Sequence, residues 1–144
     1  MMVDDEEAQS IAAHELGHGV AWEHAGLTVY KLEMSASFGG SGFCSVRGVV
    51  RGERGERGYL IGYGAGYMAD QIWRERHEMP PPDPRTAGGD YAFYQQELVD
   101  HPELVGLLSW DEAVAAAAPV VLAYWDVIEQ RVPVLVDRHR LGGV

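Results

Sequence analysis

Residues 12–27 read AAHELGHGVAWEHAGL. His14 and His18 are four positions apart, so a helix through them puts both imidazoles on one face, within reach of a single ion. Neutral imidazole is a favoured ligand of zinc, and two histidines with one carboxylate form a known type of hydrolytic set. Glu15 is adjacent to the pair but off its axis. From there it reaches a water on the metal rather than the metal itself. Zinc lowers the pKa of such a water toward about 7, and a carboxylate beside it can take the proton. The expectation is one Zn2+ per chain, held by His14 and His18, with Glu15 as general base.

A catalytic zinc needs a third protein ligand and an open fourth position. His24 has the spacing of the metzincin motif, in which a glycine lets the chain turn back to the metal. That glycine is replaced here by Ala21, which resists the positive φ the turn requires. On an unbroken helix His24 lies about 240° around from His18. A glutamate on a later helix is a second source, with Glu75 and Glu97 as candidates, although no motif surrounds either.

The elements that position these residues follow from pattern. Asp4, Asp5, Glu6 and Glu7 suit the positive end of a helix that carries Ile11, Leu16, Val20 and Trp22 and stops at Gly26. TVYKLEMSA alternates around Val29, Leu32 and Met34 and predicts a strand. GFCSVRGVV predicts its partner, joined through Gly39, Gly40 and Gly42. RGERGERG reads as a polar loop. The helical pattern resumes from about Tyr59 to Arg76, with Gly62, Gly64 and Gly66 permitting close helix packing. MPPPDPRTAGG must be a loop, and a helix follows from Gly89 to Val99. Ser109 to Glu112, SWDE, is a capping box. It opens a long helix to about Arg131, which Pro119 and Pro133 should kink or divide. The fold class is mainly α (α+β): a zincin-like helical domain, residues 1–144, with a small hairpin after the metal-binding helix.

The chain resembles the peptidase domain of the FtsH-type AAA proteases. The matching stretches are AAHELGHGVAWEHAGLTVYKLEM, IGYGAGYMADQIW and TAGGDYAFYQQEL. The resemblance implies a zinc peptidase whose third metal ligand is an aspartate, delivered by a threonine- and glycine-rich turn at the start of a helix. Asp90 stands in that position. MADQIW departs from the family in placing Asp70 and Gln71 where paired glutamates are usual. Asp70 is a candidate acceptor that would fix the tautomer of a ligand imidazole. FCSVRGVV departs from the family's proline-arginine-glycine segment, which bears on substrate preference. No Walker-type loop is present, so GGSGFCSVRG binds no nucleotide in that manner and peptide hydrolysis within this chain would be independent of ATP.

Composition bounds the rest. A net charge of −11 over 144 residues argues against nucleic acid and anionic membrane surfaces as partners. No apolar run is long enough to cross a bilayer. The acidic N-terminus lacks the apolar core of a secretory signal, and the one cysteine, Cys44, fits a reduced, cytoplasmic setting. Cys44 reads as a small buried hydrophobe. His77, His101 and His139 read as surface residues, and Trp22, Trp73, Trp110 and Trp125 as core. Tyr59, Tyr63 and Tyr67 recur every four residues and form one helix stripe, which reads as packing; the alternative is that one of them lies near the zinc and steadies an oxyanion. The expected function is hydrolysis of peptide bonds in short or unfolded substrates. The alternatives are a non-catalytic, zinc-stabilised peptide-binding module and a metzincin-like peptidase using His24. Whether the chain forms a homo-oligomer or works with a separate partner chain is open at this level.

Overall fold

The computed structural model describes residues 5–35, 41–48, 52–83 and 88–144. Helix α1 (Asp5–His24) starts with an acidic first turn and ends two residues before Gly26, whose φ of +95° suits glycine. α1 packs against both longer strands and three other helices. Its buried residues, Ala8, Ala12, Ala13, Leu16, Val20 and Ala21 among them, lie on nearly every side. A helix enclosed in this way shows no clean apolar stripe, and small side chains let its neighbours approach.

Strands β1 (Thr28–Ser35) and β2 (Ser41–Arg47) pair antiparallel, with Leu32 opposite Cys44 and Met34 opposite Gly42. The register shifts between Val29 and Lys31, a bulge that inserts Tyr30. That extra residue explains why Val29 and Leu32, three apart, both face the core. Gly39 and Gly40 lie outside the described residues, and Gly42 belongs to β2 rather than to the connection. A third strand that the pattern does not foretell, β3 (Arg140–Leu141), pairs with the other side of β1 and completes a sheet of order β2-β1-β3.

Helix α2 (Gly52–Arg76) begins earlier than its glycines suggest. From Gly52 on, RGERGERG is helical rather than a loop. Glycine lowers helix propensity, but tertiary contacts compensate: Arg57 donates to the Leu107 carbonyl and Gly58 lies against Ala25. Helix α3 (Gly88–Asp100) and a short 3-10 turn (Pro102–Leu104) follow. Tyr94, Leu104 and Leu108 join Leu60 and Ala113 in a second apolar cluster that ties α3 to α2 and to the next helix.

Helix α4 (Trp110–Ala123) opens with the expected capping box: Ser109 Oγ accepts from the Glu112 amide and the Glu112 carboxylate accepts from the Ser109 amide. The expected long helix is divided, but at Tyr124 (φ −108°, ψ 20°), not at either proline, and α5 (Trp125–Arg138) runs beyond Arg131. Pro119 and Pro133 sit inside their helices. Each forfeits one backbone hydrogen bond, which burial of Ala117 and Val121 on α4 and of Ile128, Val132 and Leu135 on α5 offsets. The architecture is mainly helical with one small antiparallel sheet. Among the described residues, no helix is long and apolar enough to cross a membrane.

Candidate metal centre

α1 and α2 run side by side, and their seam forms the site. Gly58, Gly62 and Gly66 recur every fourth residue along α2. A side chain added at these positions would meet Ala25, Trp22 and His18 in turn, along one face of α1. The glycines therefore let α2 close on the face that carries the histidines. The Gly62 carbonyl accepts a hydrogen bond from His18 Nδ1 at 2.7 Å. This leaves Nε2 of His18 facing the cavity, where a metal can displace its proton. Trp22 stacks on His18, ring centroids 5.2 Å apart, and its own N–H is taken by the Tyr59 carbonyl at 3.0 Å. His18 is thus held on one face and at one nitrogen.

Asp90, in the first turn of α3, reaches the same point from the other side. Its Oδ2 lies 2.7 Å from His14 Nε2 and 3.1 Å from His18 Nε2. Ligand atoms of His14, Glu15 and His18 all fall within 4.8 Å of one another. Glu15 is buried, with its side chain against Gly42 of β2, where a Cβ would lie 2.8 Å from Glu15 Cγ. Glycine at that position makes room for the carboxylate under the sheet.

This donor set fits a divalent metal. Tetrahedral ligation at about 2.0–2.1 Å places ligand atoms about 3.3 Å apart, and a small outward movement of the Asp90 carboxylate and the two imidazoles gives that spacing. A Cβ on Gly66 would stand 2.3 Å from His18 Nε2 and 2.7 Å from His14 Nε2. The absent side chain leaves open the space in front of both ligand nitrogens.

The electrostatics follow from burial and proximity. Burial works against charge on His18, but the Asp90 carboxylate outweighs it, with help from Glu15 and the Gly62 carbonyl, and the imidazole is pushed up to about 9. Burial would also raise Asp90; the two imidazoles more than reverse this and hold its carboxyl well below the usual range. Glu15 goes the other way. Burial raises it above the ordinary glutamate value, and His14 and His18 only partly offset the shift. A buried carboxylate beside a metal site suits proton transfer.

The other sequence candidates are placed elsewhere. His24 ends an unbroken α1, is exposed, and sits 3.1 Å from the Tyr124 hydroxyl. Glu75 is exposed. Glu97 accepts from the hydroxyls of Tyr59 and Tyr63 at 3.1 and 3.3 Å. Asp70 is buried at the far end of the cavity, and its hydrogen bonds go to Arg74 (2.9 Å) and Ser10. Asp70 acts on His14 through its charge, and the acceptor that orients His18 is the Gly62 carbonyl. Cys44 is half-buried against the main core and also lines the cavity, where burial raises its thiol. His77, His101 and His139 are exposed. Trp22, Trp73 and Trp125 are core, and Trp110 is half-buried over Tyr94.

The cavity encloses about 700 Å³ and extends from Asp70 and Arg74, past the histidines, to Tyr59, Tyr63 and Phe93. No protein-family model and no curated protein matches the chain.

Proposed function

We propose that this chain is a zinc-dependent metallopeptidase that cleaves short or unfolded polypeptides, with one Zn2+ held by His14, His18 and Asp90. The convergence of His14 Nε2, His18 Nε2 and Asp90 Oδ2 on one point beside the buried Glu15 carries this reading. A zinc ion bound there supplies Lewis acidity toward water and toward a peptide carbonyl. Glu15 takes a proton from the attacking water on its carboxylate and passes it to the departing amine nitrogen. The first transfer leaves the proton on Glu15, and protonated Glu15 serves as the acid for the second. The Gly62 carbonyl holds the His18 ring in place throughout. β2 borders the cavity through Gly42, Cys44 and Val46 and provides one wall along which an extended peptide can lie.

The resemblance to FtsH-type peptidase domains points the same way. It makes a cytoplasmic protein acting on unfolded chains the natural setting, with any separate motor or partner subunit still to be identified. The deciding experiment is metal analysis with peptide-library cleavage for wild type and Glu15→Gln. Wild type is expected to bind one zinc and cleave. Glu15→Gln is expected to keep the metal and lose on the order of 10²–10⁴ in rate. A wild type that binds zinc and peptides but cleaves nothing would instead make the chain a peptide-binding module.

A further inference from the structure

A second cavity of about 580 Å³ adjoins the first, and Tyr59 and Val46 line both. Glu97 stands at this junction. Its Oε1 accepts from the Tyr59 and Tyr63 hydroxyls, while its Oε2 has the exposed His101 at 3.8 Å. The Glu97 side chain is 21% exposed, so its charge is only partly screened by water. Tyr59 lines this second cavity, and Tyr63, which lines the metal cavity, meets the Tyr59 ring edge to face at 5.4 Å. Glu56 and Glu103 line the outer part of the second cavity. The Arg47 guanidinium, also in its lining, lies over the Tyr30 ring at 4.5 Å.

An aromatic ring with a carboxylate beside it is the chemistry that accepts a flexible cation: the ring attracts it and the carboxylate fixes its head. At the opposite end of the metal cavity, Arg74 is engaged by Asp70, Ser10 and the Pro80 carbonyl. We infer that the second cavity is a specificity subsite for a lysine or arginine side chain of the substrate, next to the bond cleaved, with Glu97 as its principal recognition group. This rests on the peptidase reading above and adds a substrate class to it. The two phenols donate to Glu97, so the carboxylate is positioned before a substrate arrives and little side-chain freedom is lost on binding.

The test is cleavage of an unfolded-peptide library by the zinc-loaded protein, with products mapped by mass spectrometry. Lysine and arginine should be enriched over norleucine at one fixed position relative to the cleaved bond. In Glu97→Gln, which keeps an oxygen for the two phenols, the lysine-to-norleucine ratio of kcat/KM should fall about ten- to hundredfold. Cleavage without enrichment, or an enrichment that Glu97→Gln leaves intact, overturns the subsite and spares the peptidase. If wild type cleaves nothing, the peptidase reading fails and binding decides the subsite. Fluorescent peptides containing lysine or norleucine are then titrated into zinc-loaded Glu15→Gln and Glu15→Gln/Glu97→Gln. A lysine advantage lost with Glu97 upholds the subsite, and equal affinities for the two peptides refute it.

Discussion

The metal centre is assembled from two unlike regions. On one side is the α1–α2 seam, where His18 is buried, stacked on Trp22, bonded to the Gly62 carbonyl and faced by Gly66, where only a glycine leaves space for a metal. On the other is the start of α3, where Asp90 is partly exposed and its neighbours Tyr91 and Phe93 are 45% and 65% exposed. The seam fixes its ligands by steric contact. The α3 side brings its ligand by charge, through a short side chain on a helix anchored further along. A substitution on the seam should therefore act by displacing atoms, and one on the α3 side by removing a single interaction.

The largest expected effect comes from Gly66→Ala. The new methyl would fall 2.3 Å from His18 Nε2, and the ring cannot retreat because Trp22 and the Gly62 carbonyl hold it. Zinc should drop from one per chain to near zero in metal analysis of the purified protein. Gly89→Ala on the α3 side is the matched control: a Cβ there meets nothing within 4 Å, and zinc content should not change. Equal zinc in both variants would remove the distinction between the two sides.

Next is Asp90→Ala, which deletes a ligand but displaces nothing. Zinc affinity, read by chelator competition, should fall by more than the 10–100-fold typical of residues that only orient a ligand. His24→Ala should leave it unaltered, since His24 faces Tyr124. The reverse result would mean that the last turn of α1 reorganises to bring His24 to the metal.

The seam also has a polar end. Asp70 and Arg74 form a nearly buried pair, with side chains 4% and 13% exposed. Burial raises the Asp70 carboxyl above its usual value, and Arg74 only partly opposes this. A raised folded pKa means the native state binds the proton more tightly than the unfolded chain. Wild-type stability from this group therefore declines as pH rises from the unfolded value near 4 toward the folded one. Asp70→Asn should abolish that slope. Arg74→Met strands the carboxylate and should cost about 3 kcal/mol at pH 7. Because protonation relieves the stranded charge, the loss should be smaller at pH 5. Denaturant unfolding of both variants at the two pH values checks the sign.

Much of the seam was legible in the sequence, and the reasons differ by residue. His14, Glu15 and His18 are local, and helix geometry alone puts them together. The capping box at Ser109 is equally local. Asp90 came from the resemblance, because nothing within α3 itself marks it as a ligand. The Gly62 carbonyl is invisible to any reading based on side chains. Its one signal is the four-residue recurrence of Gly58, Gly62 and Gly66, a face of α2 too small to be anything but a close contact. The start of α2 at Gly52 and the break at Tyr124 were missed for a common reason. Both depend on packing between elements distant in the chain, which overrides glycine and proline propensities. β3 was missed because two residues carry no pattern.

The smallest expected effect tests how α3 is anchored. The Tyr94 hydroxyl donates to the Leu108 carbonyl inside the second apolar cluster. Tyr94→Phe keeps the ring, its packing and its contact with Trp110, and removes only the donor. The buried carbonyl left without a partner should cost about 1–2 kcal/mol in denaturant unfolding. Asp90 is a full turn away toward the helix start and contacts the imidazoles directly, so zinc affinity should change less than twofold. A large drop in zinc affinity from this one hydroxyl would mean that α3 is held as tightly as the seam. The charge-placed ligand would then depend on rigid packing after all, and the contrast between the two regions would disappear.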